Sequence, residues 1–219
     1  GWMSCSHSGK EHSSLPDPRT LDKSVPEYKN PFHPSTYAHF VARKDYKKTY
    51  DIYKDDTLLK RTPKKSRKIF VCLNEQRGQY LVDGLVAMDF PLSSGVKAYP
   101  TKTGDYTVIS KKEDHVSNLY GKMYDAEGKC INYNAESTDP VPEGGRFDGS
   151  PMPYWQRLTN AGLGLHVGKV RRHPISHGCV RLPRNVAEIL YKQTSIGTPV
   201  TIRNTPLPVP EAQKAPAGQ

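Results

Sequence analysis

The stretch from Leu163 to Pro183 reads LGLHVGKVRRHPISHGCVRLP, and the rest of the chain is arranged around it. Cys179 lies two residues after His177 and thirteen residues after His166, with three arginines close by in the sequence. A thiol becomes a strong nucleophile as its thiolate, and nearby cations lower its pKa. Because a cysteine with a histidine base is the minimal equipment for acyl transfer through a thioester, this stretch predicts a cysteine-dependent acyl-transfer enzyme.

The sequence on either side of Cys179 predicts a structural frame for it. Residues 163–167 form a short apolar run that is typical of a strand, and this strand would carry His166. After Pro183, residues 185–194 place apolar side chains at helical spacing, which predicts a short amphipathic helix. A Gly-Thr-Pro turn then leads into a last strand over residues 200–202. The predicted order is strand, connector, nucleophile turn, helix and strand.

The upstream half of the same domain is predicted to be rich in strands. From Lys68, apolar runs alternate with turn signals through residue 95, which indicates a β-meander, and residues 106–109 continue it. Residues 121–153 are long and rich in Gly, Pro and Asp, which predicts a loop. Because loops of this length in compact domains are usually functional or disordered, we interpret it as a wall or lid of a substrate cleft.

The two ends of the chain have a different composition from the middle. Residues 1–36 are polar, without periodicity, and predict a flexible leader. Residues 37–67 predict one or two short amphipathic helices followed by a basic linker, and residues 68–204 hold the predicted catalytic domain. Residues 205–219 are rich in Pro and Ala and predict a disordered tail.

Charge and cysteine spacing exclude several classes of protein. The net charge of +10, from 32 Lys and Arg against 22 Asp and Glu, suits an anionic partner. The chain lacks a stacking motif, a helix-turn-helix pattern and zinc-finger spacing, so we predict no nucleic-acid partner. The four cysteines include no C-x-x-C pair, which argues against a zinc ribbon or a thioredoxin motif.

The whole arrangement resembles the catalytic domain of bacterial L,D-transpeptidases, the YkuD family. These enzymes carry an upstream His, then Ser/Thr-His-Gly-Cys, an apolar residue and Asn or Arg. The segments DFPLSSG, YPTKTGDYTV and MPYWQRL also look like segments of the family, so the resemblance covers about residues 68–203. It implies a mainly β, β-rich α+β fold, a mixed β-sandwich with a short helix after the nucleophile motif. The matching motif residues are His166, Ser176, His177, Gly178, Cys179, Val180 and Arg181.

The resemblance also implies a reaction. Cys179 would attack the carbonyl of the third residue of a peptidoglycan stem peptide, expel the terminal D-residue and form a thioester. A side-chain amine of a second stem would resolve the thioester and give a 3→3 cross-link. Water as the acceptor would instead make an L,D-carboxypeptidase. The third alternative is a non-catalytic cell-wall-binding protein. The family needs no cofactor, and carbapenems inhibit it by acylating this cysteine.

The resemblance assigns roles to individual residues. Cys179 is the nucleophile and His166 the general base and acid, while His177 is a rival base. Ser176 is expected to orient an imidazole by hydrogen bonding. The N–H groups around Gly178 and Cys179 are expected to form the oxyanion hole. Arg181 is expected to hold a stem carboxylate or to brace the loop. The cleft lining is predicted to include Met152, Tyr154 and Trp155, with simple packing as the equal alternative.

A mixed metal site is the main rival chemistry for the same stretch. His166, His173, His177 and Cys179 are residue types that bind zinc. However, Pro174 follows His173 and disfavours helical His-x-x-x-His geometry, and the paired ligands of a closed structural site are missing. We therefore predict no metal.

The implied function places the protein in the bacterial cell envelope, on the extracytoplasmic side. The opening residues WMSC resemble the end of a bacterial lipoprotein signal, so Cys5 is a candidate for lipid attachment to a membrane. We expect a monomer.

Overall fold

A computed structural model describes residues 15–63 and 66–218. The described residues divide into two compact units, one formed by those up to Tyr46 together with those from Pro208 onward, and one formed by those within Lys47–Leu207. Strands dominate the described residues, as the sequence predicts. No helix among them is both long and apolar enough to cross a membrane. Cys5, the candidate for lipid attachment, lies outside the described residues.

The first unit joins the described parts of both chain ends. Helix α1 (Tyr37–Val41) begins at Thr36, whose hydroxyl accepts the N–H of His39, and buries Tyr37 and three neighbouring side chains. Phe32 is 1% exposed and bridges Pro216 near the end of the chain. The expectation of a flexible leader and a disordered tail is therefore corrected for these described residues. Composition alone missed them because a few buried aromatics hold the two segments together.

The described residues of the second unit form one further short helix, α2, a longer helix, α3, and eleven strands. Their bounds in chain order are β1 (Tyr53–Lys54), α2 (Asp56–Lys60), β2 (Arg67–Cys72), β3 (Arg77–Val82), β4 (Leu85–Pro91), β5 (Gly104–Thr107), β6 (Ser110–Tyr124), β7 (Cys130–Glu136), β8 (Arg146–Arg157), β9 (Gly164–Val167), β10 (Val180–Leu182), α3 (Arg184–Gln193) and β11 (Pro199–Arg203).

These strands form two mixed sheets. The first has the order β1-β4-β3-β2-β11-β5, in which β2, β3 and β4 are antiparallel neighbours and confirm the predicted meander. The last strand, β11, lies parallel to β2. The second sheet has the order β10-β9-β8-β6-β7, with β10 and β9 parallel to each other.

The prediction of a loop over residues 121–153 is wrong, because this segment consists largely of strands. β6, β7 and the first half of β8 form antiparallel ribbons there. Most side chains of β7 are exposed, so this ribbon does not need to alternate apolar and polar residues. Strand prediction from sequence depends on that alternation. Seven of the twelve Gly, Pro and Asp residues of this segment lie in the two turns, 125–129 and 137–145, and the other five lie within β6 and β8.

The core lies between the first sheet, helix α3 and the inner strands of the second sheet. Ile69 and Val71 of β2 are fully buried, and so are Val186 and Leu190 of α3, which confirms the predicted amphipathic helix. Lys111 of β6 donates to the carbonyls of Tyr191 and Thr194 at the carboxyl end of α3, where a cation is favourable. This packing fixes the chain immediately after β10.

A buried ion pair connects the meander to the segment before β1. Arg77 and Asp89 have side chains that are 0% exposed, and Arg77 Nε lies 2.5 Å from Asp89 Oδ1. The remaining guanidinium N–H groups donate to the carbonyls of Thr49 (2.9 Å) and Asp51 (2.7 Å), and Gln79 donates to the second carboxylate oxygen (3.0 Å). Every partner in this network is therefore needed to compensate a buried charge.

We expect Asp89→Ala to lower the free energy of unfolding by about 3–5 kcal/mol, because it leaves the Arg77 charge buried without its carboxylate. Urea denaturation followed by circular dichroism measures this loss. Asp148→Ala is the matched control, since its pair with Arg146 is exposed and worth about 0–1 kcal/mol. Equal effects of the two substitutions would contradict the assignment.

Candidate active site

Strand register brings Cys179 and His166 to one cleft. In the parallel pair of β9 and β10, Arg181 is opposite His166 and Val180 is opposite Leu165. Cys179 lies directly before β10, two residues ahead of the Arg181 that faces His166. Both residues line one cleft of about 790 Å³. The two side chains that the sequence selected therefore share a single cavity.

His166 is held in the form that accepts a proton. Its side chain is buried, and Nδ1 lies 2.6 Å from the carbonyl oxygen of Val167. A carbonyl only accepts, so Nδ1 carries the proton and Nε2 keeps a free lone pair. Burial lowers the pKa of His166 to about 4, assisted by the charges of Arg181 and His115 and opposed by the Val167 bond. At neutral pH, His166 is an uncharged imidazole.

The Cys179 thiol is also uncharged at rest. Its sulfur lies 3.3 Å from the carbonyl oxygen of Gly162, to which the thiol donates. Burial raises the pKa of Cys179, and the backbone of Gly164 and the charges of Arg181 and Arg157 act in the opposite direction. The sequence suggested that the cations would dominate, but desolvation outweighs them. The resting site is a neutral thiol with a neutral imidazole, so proton transfer accompanies attack.

Ser176 closes the turn that carries the nucleophile. Its hydroxyl donates to the carbonyl of Cys179 (2.6 Å) and accepts the N–H of Gly178 (3.1 Å). The expectation that Ser176 orients an imidazole is therefore corrected, since both of its bonds go to backbone groups. Gly178 has a φ of 122°, which a residue with a side chain rarely adopts.

The oxyanion hole has fewer free donors than the sequence suggested. The N–H of Gly178 is already bonded to Ser176, so it is not free to bind an oxyanion. The N–H of Cys179 has no acceptor among the described residues. Of the two expected donors, Cys179 N–H is the one that remains available.

His177 contacts aromatic side chains at the rim of the cleft. Its ring stacks on Tyr120 with centroids 4.6 Å apart and planes at 19°, and it lies 5.0 Å from the ring of Tyr99. The extended backbone that would put His177 on the same face as Cys179 is interrupted by the left-handed conformation of Gly178. The geometry thus favours His166 as the base.

Thr101, which the sequence did not identify, fixes the nucleophile turn from the other side. Its hydroxyl donates to the carbonyl of Gly178 (2.6 Å) and accepts the N–H of Gly95 (2.9 Å). A Cβ at Gly95 would lie 2.8 Å from the Cα of Gly178 and 2.1 Å from the carbonyl oxygen of Tyr99. Only glycine allows this approach. Thr101 stands in the YPTKTGDYTV segment, whose resemblance to the family was the available signal.

The segment after β4 forms a backbone frame for the same turn. Ser93 and Arg181 exchange both backbone hydrogen bonds (3.1 and 2.9 Å). The Ser94 carbonyl accepts the N–H groups of Ile175 and Ser176. The N–H of Ser94 donates to the side-chain oxygen of Gln76 (3.0 Å), and the side-chain amide of Gln76 donates to the hydroxyl of Ser94 (2.8 Å). The DFPLSSG segment therefore positions the nucleophile through main-chain contacts.

Arg172 anchors the nine-residue connector between His166 and Ser176. Its φ is 58°, and its guanidinium donates to the carbonyls of Thr49 (2.5 Å), Glu75 (2.9 Å) and Gln76 (3.3 Å). Its charge is therefore used on backbone carbonyls rather than on the thiol.

Two of the three predicted cleft residues line the cleft, and one does not. Met152 and Trp155 do, as does Arg181. Tyr154 instead packs edge-on against Tyr191 of α3, with centroids 5.5 Å apart at 62°. The φ of 54° at Tyr154 interrupts the alternation of β8, which lets Met152 and Trp155, three residues apart, reach the same cleft. Tyr154 is therefore corrected to a packing residue.

The rival metal site is not assembled. Within residues 15–63 and 66–218, no group of three or more His, Cys, Asp or Glu side chains is placed to hold a metal ion. His173 is exposed, and Nδ1 of His166 is committed to the Val167 carbonyl.

Comparison with known proteins agrees with the geometry. Residues 66–202 match the YkuD family, described as the L,D-transpeptidase catalytic domain. A probable L,D-transpeptidase 3 of Mycobacterium tuberculosis is 32% identical over 120 residues, which are 52% of this chain and 38% of that protein. The chain therefore spans well under half the length of this curated relative.

Solved structures of the same kind are also similar. An L,D-transpeptidase from Mycobacterium smegmatis is 22% identical with a TM-score of 0.49, and the match covers 63% of this chain and 58% of that one. L,D-transpeptidase 3 from Mycobacterium tuberculosis in complex with a faropenem-derived adduct is 23% identical with a TM-score of 0.49, over 63% of this chain and 60% of that one.

We expect Thr101→Val to slow alkylation of Cys179 by iodoacetamide about tenfold, the equivalent of one lost buried hydrogen bond. The substitution keeps the shape of the side chain but releases the Gly178 carbonyl. Thr103→Val is the control, because Thr103 is exposed in the same segment. A Thr101→Val protein that is alkylated at the wild-type rate would show that the hydrogen bonds of Thr101 do not position the thiol.

The low pKa of His166 predicts an acid-tolerant reactivity. The base is uncharged above its pKa, so the His166-assisted alkylation rate should persist on acidification and fall only with a midpoint near 4. In His166→Gln the alkylation rate should not persist on acidification in this way, and its pH dependence should follow ionisation of the thiol alone. A wild-type midpoint near the ordinary histidine value of 6.5 would contradict the buried, neutral imidazole.

Proposed function

The chain belongs to the YkuD family of L,D-transpeptidase catalytic domains, and we propose that it is a peptidoglycan L,D-transpeptidase that acts through a thioester on Cys179. The observation that carries the proposal is that a partly buried thiol and a neutral imidazole with its proton on Nδ1 line the same cleft. Acyl transfer requires that combination of nucleophile and base.

Acylation begins when the sulfur of Cys179 attacks the carbonyl of the third stem residue. His166 Nε2 accepts the thiol proton, and the free N–H of Cys179 donates to the developing oxyanion. The carbon–nitrogen bond to the terminal D-residue then breaks, and the imidazolium gives its proton to the departing amine. The products are a thioester and a free D-amino acid.

Transfer to the second stem repeats these steps in reverse. The acceptor amine attacks the thioester while His166 takes its proton, and the carbon–sulfur bond breaks to leave a new amide. The proton returns to the sulfur. Because burial holds the pKa of His166 near 4, its imidazolium is a strong acid that gives up its proton readily.

The cleft suits a peptide with both apolar and anionic parts. Its volume of about 790 Å³ lies within the range of typical ligand sites. Met152, Trp155 and Tyr120 supply apolar surface, and Arg181 supplies a cation for a stem carboxylate.

This substrate puts the protein in the bacterial cell envelope, outside the cytoplasmic membrane. The net charge of +10 is compatible with an anionic wall polymer. A lipid on Cys5, proposed from the sequence, would hold the domain beside its substrate. We also propose that the enzyme acts as a monomer.

With tetrapeptide stems as the only substrate, we expect stem dimers cross-linked between their third residues, and Cys179→Ala should abolish them. Mass spectrometry distinguishes these dimers from tripeptides, which would identify an L,D-carboxypeptidase. Intact-mass measurement after incubation with a carbapenem should show one adduct, on Cys179. Stem binding without turnover or an adduct would favour a wall-binding protein and overturn the proposal.

A further inference from the structure

The Lys and Arg side chains that line the cleft give it only positive charge at neutral pH. Lys102, Arg157 and Arg181 line it, together with His115, His166 and His177, and no Asp or Glu does so among the described residues. Cations brought together without carboxylates are unfavourable unless a ligand supplies the negative charge. The cleft is therefore suited to a ligand with more than one anionic group.

Arg181 is a half-buried cation whose guanidinium has no acceptor among the described residues. Its aliphatic carbons lie over Gly168, where an added Cβ would be 2.8 Å from Cγ and Cδ. Gly168 thus leaves room for the Arg181 side chain to lie along the cleft. A guanidinium partly removed from water, with its donors unused, is a ready site for a planar anion.

Arg157, to which the sequence assigned no role, has a similar position. It ends β8 opposite Gly164 of β9, and its guanidinium carbon lies 5.3 Å from the centre of the Trp155 ring. One N–H reaches the carbonyl of Thr159 at 3.4 Å, and its other N–H groups have no acceptor in the described part of the chain. Stacking on an indole leaves the edge of a guanidinium open to an anion.

The two arginines lie close enough to Cys179 for both charges to act on its thiol. Arg181 approaches from β10 and Arg157 from β8, with β9 between these strands. A stem whose carbonyl reaches Cys179 therefore meets a cation from each of two strands.

We propose that Arg157 and Arg181 form a carboxylate-binding subsite by which the enzyme prefers donor stems with free carboxylates over stems in which these groups are amidated. This inference rests on the proposed function. A carboxylate accepts paired, charge-assisted N–H bonds from a guanidinium, whereas a carboxamide offers one neutral oxygen and adds donors that face a cation. The carboxylate comes either from the second stem residue or from the side chain of the third.

Four synthetic tetrapeptide donors test the subsite. They carry free carboxylates at both positions, an amide at the second residue, an amide at the third side chain, or amides at both. We expect amidation at the engaged position to lower kcat/KM for thioester formation by about 10- to 100-fold in the wild-type enzyme. The singly amidated donors identify which carboxylate is bound.

Variants assign that preference to the arginines. Arg157→Gln should reduce the ratio of kcat/KM between free-acid and amidated donors to within about threefold. Arg157→Lys should restore part of this ratio, because Lys keeps the positive charge but lacks the planar guanidinium that donates paired N–H bonds. Arg146→Gln is the matched control, since it removes the same charge from β8 at an exposed position outside the cleft. The ratio is informative because a change in thiol pKa affects all donors equally.

Each outcome decides the question. A doubly amidated donor that reacts as fast as the free acid in the wild type, or a full preference retained in both Arg157→Gln and Arg181→Gln, would overturn the subsite. A failure of the proposed function looks different, because no donor would then form a Cys179 adduct although iodoacetamide still labels the thiol. If Arg157→Gln does not fold, Arg157→Lys and the wild-type donor series still decide.

Discussion

The parallel pairing of β9 with β10 is the constraint on which the site depends. It puts His166 opposite Arg181, two residues from Cys179, and so brings His166 and Cys179 to one cleft. Parallel neighbours normally need a connection of a dozen or more residues, often a helix. Here the twelve residues 168–179 make the crossover without a helix, and Arg172 holds them by donating to three backbone carbonyls. The connector replaces the packing of a crossover helix with charge-assisted hydrogen bonds.

The buried network around Arg77 extends this support away from the cleft. Arg77 and Arg172 both donate to the carbonyl of Thr49, so the segment before β1 is tied to the meander and to the connector at one point. Gln76, next to Arg77, bonds Ser94 at the start of the frame that holds the nucleophile turn. Stability of the meander and placement of the thiol are therefore properties of one hydrogen-bonded system.

Desolvation and charge compete in the cleft, and each decides a different property. Desolvation is the larger effect on Cys179 and His166, so it keeps the resting pair neutral. The charges of Arg181 and Arg157 oppose this effect on Cys179 without reversing it, and their guanidinium groups keep N–H donors without acceptors in the described part of the chain. Their charge is therefore available to the carboxylates of a donor stem in the proposed reaction.

The sequence alone predicted the meander and the helix after the motif from turn signals and periodicity, which the fold confirms, and it selected Cys179 and His166 as candidates from the motif and the family resemblance. Tertiary structure decided the rest. Thr101 acts across 77 residues of sequence, and no local pattern reveals such a contact. The left-handed backbone of Tyr154 turned a predicted cleft residue toward α3. The protonation of the thiol depended on burial, which is a property of the folded chain and not of the arginines written beside it.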